Sequence, residues 1–129
     1  MPHKDFKTRI KIKAELEDVY AAFTNPFTIE LWSGYPATMP SEPGAEFSML
    51  DGDIQGRIIE LDPNSKIVQE WYFGEQKQTS IATIKLFKSK GTIQVDLFHT
   101  NIPTEAYKEI SQGWINYFLG GIKEFLEGE

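Results

Sequence analysis

Hydrophobic and polar residues alternate strictly over residues 5–13. Such a period of two predicts a first strand with one face buried and the other in solvent. One side carries Phe6, Thr8, Ile10 and Ile12, and the opposite side is a basic row of Lys7, Arg9, Lys11 and Lys13. We interpret the basic row as a solvated outer face that is also a candidate surface for an acidic protein partner.

The spacing of hydrophobic residues then changes and predicts two short helices. Steps of three and four link Leu16, Val19, Tyr20 and Phe23. Asn25 and Pro26 end this helix and are suited to open a second one, because Asn caps helices and Pro is tolerated at the first helical position. Gly34 is expected to stop the second helix. Three prolines within residues 34–44 predict a loop.

Five further strands follow, separated by residues that are typical of turns. They are predicted over residues 45–50, 53–61, 66–73, 79–88 and 91–100. Asp51 and Gly52 are expected to form a tight two-residue hairpin turn, because this pair favours positive φ values. Residues 62–65 suit a type I turn, so consecutive strands should pair antiparallel.

One long helix is predicted to close the chain. Hydrophobic residues recur at helical spacing from Tyr107 to Phe125, and Thr104 is its expected N-cap. Because a sheet with one apolar face needs a covering element, we expect the sheet to curve around this helix. The prediction is an α+β fold of order β-α-α-β-β-β-β-β-α, with a six-stranded antiparallel sheet. No repeat or linker divides the chain, so one domain over residues 1–129 is expected.

Composition narrows the classes of function. The 129 residues contain no cysteine, which excludes thiolate nucleophiles and cysteine-ligated metal sites. A net charge of -6 disfavours general binding to nucleic acid or to an anionic membrane surface. The chain has no apolar run of about 20 residues and no apolar signal-peptide core near its start, so we expect a cytoplasmic protein. Only two histidines are present, and we predict neither a metal nor a cofactor.

The inward faces of the strands and of the closing helix supply the candidates for a small-molecule cavity. They are Phe47, Met49, Ile58, Gln69, Trp71, Phe73, Ile84, Leu97, His99, Ile110, Trp114, Tyr117 and Phe118. Ligand pockets combine apolar walls with few polar groups, as this set does. The same bulky rings are equally suited to fill a core, so the sequence leaves an open pocket and a filled core as alternatives.

Two polar residues in this set are candidates for specific roles. Gln69 has inward parity, so its amide either orients a ligand or finds an internal hydrogen bond. His99 has an ordinary pKa near 6.5, which suits proton transfer. We favour the other interpretation, a structural polar residue at the strand end that is hydrogen-bonded to backbone or solvent, and we assign no catalytic residue.

Four segments together resemble the family related to the activator of the Hsp90 ATPase, within the START or Bet v 1-like superfamily. They are YAAFT at 20–24, FSMLDGDIQG at 47–56, IVQEWYF at 67–73 and QGWINYFLGGIKEFL at 112–126. The segments run in order over nearly the whole chain. The resemblance implies the helix-grip fold, in which a curved sheet holds a long C-terminal helix.

The resemblance also implies three kinds of function. We expect first a non-catalytic binding domain that holds a small apolar ligand between sheet and helix. The alternative is a co-chaperone module with an Hsp90-type partner, for which the basic row would be the docking surface. The family's co-chaperones resemble a two-domain arrangement, and this chain is similar only to its C-terminal type of domain. The third is a cyclase or dehydratase that uses His99, as in some branches of the superfamily.

Overall fold

A curved six-stranded antiparallel sheet is the framework of the molecule. The computed structural model describes residues 3–74 and 79–128. The strands are β1 His3–Ile12, β2 Glu46–Met49, β3 Ile54–Asp62, β4 Lys66–Trp71, β5 Ser80–Ser89 and β6 Thr92–Pro103. Their order in the sheet is β1-β6-β5-β4-β3-β2, so β2 to β6 form a meander and β1 lies beside β6. The predicted fold is therefore confirmed.

Helices pack on one face of this sheet. Between β1 and β2 lie α1 Leu16–Thr24 and α2 Pro26–Ser33. The closing helix consists of α3 Thr104–Gly113, a π-helical segment Trp114–Leu119 and α4 Gly120–Glu127, without a break between them. None of the helices in the described ranges is long and apolar enough to cross a membrane.

The junction between α1 and α2 follows the prediction. Asn25 Oδ1 accepts hydrogen bonds from the backbone N–H groups of Phe27 and Thr28, at 2.9 and 3.1 Å. Pro26 occupies the first helical position, and Gly34 ends α2 in the left-handed region with φ 85°. This cap fixes where α2 begins. Phe27 and Leu31 lie on the solvent-facing side of the helix.

Two predicted local details are wrong. Met49 pairs directly with Ile54, so the turn between β2 and β3 has four residues instead of two. A 3₁₀ turn over Leu50–Gly52 fills it, and Leu50 already has a φ of 54°, which ends the strand one residue early. At the closing helix, Pro103 occupies the N-cap position and Thr104 is already helical, because β6 continues to the helix without a loop.

The core lies between the concave face of the sheet and the helices. Alternate residues of β4, β5 and β6 are buried, as the period of two predicts. The buried inward residues of β5 and β6 are Ser80, Ala82, Ile84, Leu86, Ile93, Val95, Leu97 and His99. Neighbours of opposite parity, such as Lys85 and Phe98, reach the outer face. The sheet therefore has one apolar inner face and one solvated outer face.

Candidate functional site

A column of aromatic rings joins the sheet to the closing helix and to the first two helices. Trp71 of β4 and Trp114 are stacked, with ring centres 5.0 Å apart and an interplanar angle of 25°. Phe118 lies 4.4 Å from Trp114, and on its other side it meets Trp32 at 5.0 Å and Phe23 at 5.8 Å. The space between Trp71 and Trp114 is thus occupied by the two rings in contact with each other.

His99 is buried at the edge of this column in a chain of hydrogen bonds. Trp114 Nε1–H donates to His99 Nδ1 at 2.9 Å, and His99 Nε2 lies 2.9 Å from Ser80 Oγ. Ser80 Oγ–H donates to the backbone oxygen of Thr100 at 2.9 Å. Because an indole N–H can only donate, Nδ1 must carry the lone pair, and the ring proton is on Nε2, directed at Ser80. With His99 neutral, the Trp114 indole, both His99 nitrogens and the Ser80 hydroxyl each have a hydrogen-bond partner.

Burial gives the neutral form of His99 a large advantage. It lowers the pKa of His99 from 6.5 to about 3. A second ring proton would lie on Nδ1 and face the Trp114 N–H, so charging the ring also breaks that hydrogen bond. Both nitrogens are engaged at neutral pH, and neither accepts a proton from Ser80 or from a molecule in solvent in this conformation.

Gln69 is fixed by an internal hydrogen bond. Its Oε1 accepts from Trp71 Nε1–H at 3.0 Å, and the residue is 1% exposed. The sequence allows the Gln69 amide either to orient a ligand or to form an internal hydrogen bond, and the structure shows the internal hydrogen bond. Gln69 thereby holds the indole of Trp71 in the orientation that stacks on Trp114.

The other cavity candidates divide by burial. Those in the buried core are Phe47, Met49, Ile58, Ile84 and Leu97. Phe73 and Ile110 are partly buried against the core. Within the residues described, no three His, Asp or Glu side chains converge as a metal site would require.

Tyr117 does not belong to this interior, and its prediction as a cavity residue is wrong. It is 75% exposed, whereas Leu119, which the spacing did not select, is 1% exposed. The cause is the π-helical segment, in which the wider turn places Trp114, Phe118 and Leu119 on the inner side. Spacing at 3.6 residues per turn predicted Tyr117 instead.

Close packing explains two of the three glycines in the closing helix. A Cβ on Gly120 would lie 2.7 Å from the Ile115 backbone oxygen, which accepts the Gly120 N–H across the π turn. A Cβ on Gly121 would lie 3.2 Å from the ring of Trp32. At Gly113, nothing in the described part of the chain beyond its own helical turn lies within 4 Å of such an atom. Gly120 therefore permits the π-helical segment, and Gly121 permits the approach of α2.

Ser80 is the polar site residue that sequence reasoning missed. It is fully buried and links His99 to Thr100. The available signal was its parity, because Ser80 is two residues from the inward Ala82 on the same strand. A serine at the first position of a strand is common for ordinary structural reasons. The sequence pattern alone therefore does not place Ser80 beside His99.

A second feature lies on the outer face of β1, β6 and β5, where an open groove of about 710 Å³ carries three basic residues and one acidic residue. Its lining residues are Lys7, Thr8, Arg9, Thr83, Lys85, Asp96, Leu97 and Phe98. Arg9 forms a bidentate pair with Asp96, at 2.7 and 3.2 Å. Lys7 Nζ lies 5.5 Å from the centre of the Phe98 ring. We call this feature the basic groove.

The basic row predicted on β1 is divided by the structure. Lys7 and Arg9 line the basic groove, but Lys11 and Lys13 are not part of its lining. Lys11 contributes a backbone oxygen that accepts from Lys123 Nζ at 2.7 Å, and the Lys13 backbone N–H donates to Glu127 at 2.7 Å. The end of β1 is thus bound to the C-terminal turn of α4. β1 ends at Ile12, one residue before the predicted end at Lys13.

The curved antiparallel sheet around a long closing helix defines a helix-grip domain of the START or Bet v 1-like class. The family model described as "Activator of Hsp90 ATPase homolog 1-like protein" matches residues 13–127. The chain belongs to this family.

Named relatives agree with that assignment. The chain is 30% identical over 110 residues to the human protein "Activator of 90 kDa heat shock protein ATPase homolog 1", covering 84% of this chain and 32% of the relative. It is 31% identical over 123 residues to a Dictyostelium discoideum homolog, covering 88% of this chain and 32% of that one. The chain therefore spans about a third of the length of these curated relatives.

Solved structures show the same fold. A crystal structure of an HSP90 activator from Plasmodium falciparum superposes with a TM-score of 0.87 at 26% identity, over 95% of each chain. A solution structure of an Aha1 dimer from Colwellia psychrerythraea superposes with a TM-score of 0.85 at 20% identity, over 97% of each chain.

Proposed function

We propose that this chain is a non-catalytic binding domain that docks on an Hsp90-type chaperone through its basic groove. The observation that carries the proposal is the concentration of Lys7, Arg9 and Lys85 around Phe98 on a chain whose net charge is -6. Its curated relatives are named as activators of the 90 kDa heat shock protein ATPase, which supports a chaperone as the partner.

The charges of the groove favour an acidic partner. Asp96 balances Arg9 through their bidentate pair. Lys7 and Lys85 take part in no ion pair among the residues described. Two uncompensated cations beside the 39% exposed ring of Phe98 provide both charge attraction and an apolar contact. Such a patch on an acidic protein orients an approaching partner, since the remaining surface repels it.

The interior supports a non-catalytic role. A general acid or base must reach a proton of its substrate by a hydrogen bond. His99 is 0% exposed, and both of its nitrogens are bonded to Trp114 and Ser80. The buried histidine therefore maintains the packing of the closing helix, and this favours recognition of a partner at the outer surface.

Reversal of the two uncompensated charges tests the proposal. Lys7→Glu/Lys85→Glu is expected to weaken binding to purified Hsp90 about tenfold or more at low salt, because two attractions become repulsions. Titration calorimetry at two salt concentrations measures the loss, and added salt should weaken the wild-type complex.

The matched control is Lys88→Glu/Lys108→Glu, which changes the net charge equally at exposed positions outside the lining. It should retain wild-type affinity within about twofold. Equal weakening by both double variants would show that only net charge matters and would overturn the assignment to the basic groove. Absence of any complex with the wild-type chain would overturn the chaperone proposal itself.

A small apolar ligand between the sheet and the closing helix is a second candidate function. It is favoured by the π-helical segment Trp114–Leu119, because π-helical turns are frequent at functional sites and this one presents Trp114 and Phe118 inward. A ligand would enter by separating Trp71 from Trp114, whose rings now stack at 5.0 Å. Gln69 and His99 would then be the polar groups in reach.

Tryptophan fluorescence tests this second candidate. Separation of Trp71 and Trp114 is expected to give a saturable change in emission during titration with long-chain fatty acids, aromatic polyketides or sterols. Trp32→Phe should be used throughout, since Trp32 belongs to the same column and would otherwise contribute to the signal. A panel without saturable change contradicts the ligand hypothesis and leaves the chaperone proposal untouched.

A further inference from the structure

The helical side of the molecule carries a separate groove, on the face of the sheet opposite the basic groove. It lies between α1, α2 and α4 and has a volume of about 320 Å³. Its lining residues are Asp18, Ala21, Thr28, Leu31, Phe125 and Leu126. Four of these six residues are apolar. We call this feature the helical groove.

Large apolar side chains stand beside this groove in solvent. Leu31 of the lining is 69% exposed. Phe27 is outside the lining but lies one turn before Leu31 on the same face of α2, and it is 77% exposed. Phe125, from α4, is 38% exposed across the groove. Single exposed apolar residues are ordinary on protein surfaces, but a contiguous apolar set around a concave site marks an interaction surface.

The rim of the helical groove is acidic. Asp18 is part of the lining, and Glu17 lies one turn before Ala21 on the same face of α1. Neither carboxylate takes part in an ion pair among the residues described. α1 and α2 contain no Lys or Arg. Lys123 of α4 is engaged by Glu127 and by the Lys11 backbone oxygen.

We propose that the helical groove binds a cationic amphipathic helix of a partner protein. An apolar groove between helices, with an exposed Phe and Leu one turn apart, fits the apolar stripe of a helix laid along it. The acidic rim fits Lys or Arg residues that flank such a stripe. A symmetric contact with a second copy would bring two identical acidic rims into one interface, and α1 and α2 have no Lys or Arg to pair with them, so the charges disfavour it.

A designed peptide is a direct probe of this site. We would use a fluorescein-labelled helix of about five turns, with leucine at i, i+3, i+4 and i+7 and lysine on both flanks. Fluorescence anisotropy should report saturable binding, and Leu31→Ser/Phe27→Ser should weaken it about tenfold or more. Glu17→Lys/Asp18→Lys is expected to weaken it to a similar degree and to remove most of its salt dependence.

Matched controls separate the groove from general attraction. A scrambled peptide of the same composition has no apolar stripe and should bind at least about tenfold more weakly. Ile115→Ser removes an apolar side chain that is 49% exposed elsewhere, and Glu105→Lys/Glu109→Lys makes the same charge change on α3. Neither should alter the affinity by more than about twofold.

Two results would overturn the inference. The first is equal affinity for the scrambled peptide, or equal weakening by Glu105→Lys/Glu109→Lys and Glu17→Lys/Asp18→Lys. Either would show that the peptide binds through general charge attraction and not through the helical groove. A dimer in sedimentation experiments that Leu31→Ser dissolves would assign the surface to contact between copies of this chain. The inference is independent of the chaperone proposal, because Leu31→Ser/Phe27→Ser should leave binding to Hsp90 through the basic groove unchanged.

Discussion

Replacement of Trp114 by alanine is expected to lower the free energy of unfolding by about 3–5 kcal/mol, as is usual for a fully buried large aromatic side chain. Trp114 is 1% exposed and contacts Trp71 and Phe118 at ring distances of 5.0 and 4.4 Å. Its loss leaves a cavity between sheet and helix and also removes the donor to His99 Nδ1. Urea denaturation at pH 7.5 measures the effect.

Two further variants separate the contributions to this loss. Trp114→Phe keeps a ring in the column but removes the N–H, so it should cost about 1–3 kcal/mol, the range for a buried acceptor left unpaired. Ile115→Ala, at the next residue, removes a side chain that is 49% exposed and should change stability by no more than about 0.5 kcal/mol. A Trp114→Ala loss as small as that of Ile115→Ala would contradict the central role of the aromatic column.

The architecture could be predicted because each strand and helix shows its own spacing of hydrophobic residues, which can be read without knowing the rest of the fold. The alternation in β1, for example, places Ile12 in the core and Arg9 outside, and the structure agrees. Strand ends were less accurate, since they depend on the partner strand. β6 continues to Pro103, three residues beyond its predicted end, because its last residues pair with His3 and Lys4 of β1.

The interior of the site could be predicted only in part. Parity alone directs Trp71 and His99 inward, but it does not say whether their neighbours leave space. The hydrogen bonds of His99 join residues 19 and 15 positions away, Ser80 and Trp114, which only the folded chain brings together. A uniform helical period does not anticipate the π-helical segment Trp114–Leu119, so it misplaced Tyr117.

The same limit applies to the surfaces. A row of basic residues on one strand is visible in the sequence, but a groove also requires neighbours from β5 and β6. Lys85 and Phe98 become part of the basic groove only because the strand registers place Lys85 opposite Asp96 and Phe98 opposite Lys7. Likewise, Phe27 and Leu31 are large apolar residues of α2, and their exposure follows from how α2 packs in the folded chain.

Stability is expected to fall by about 2 kcal/mol between pH 7.5 and pH 5 because of His99 alone. Its pKa is about 3 in the folded chain, lowered by burial, and 6.5 is its ordinary value. Between these values the unfolded chain binds more protons, so stability rises with pH through this window. The contribution is complete above about pH 6.5 and decreases as the pH falls toward 3, by about 1.4 kcal/mol per unit.

The test compares this pH dependence with that of His99→Gln, by urea denaturation at both pH values. Gln keeps a polar side chain of similar length but cannot be charged, so its loss between pH 7.5 and 5 should be about 2 kcal/mol smaller. Both proteins should also carry His3→Gln, so that His99 is the only histidine of the reference protein and the compared variant has none. Because the comparison is between slopes, it is valid even though His99→Gln is itself less stable at pH 7.5. Equal slopes would mean that His99 accepts a proton in the folded chain as readily as in the unfolded one, which the hydrogen bond from Trp114 opposes.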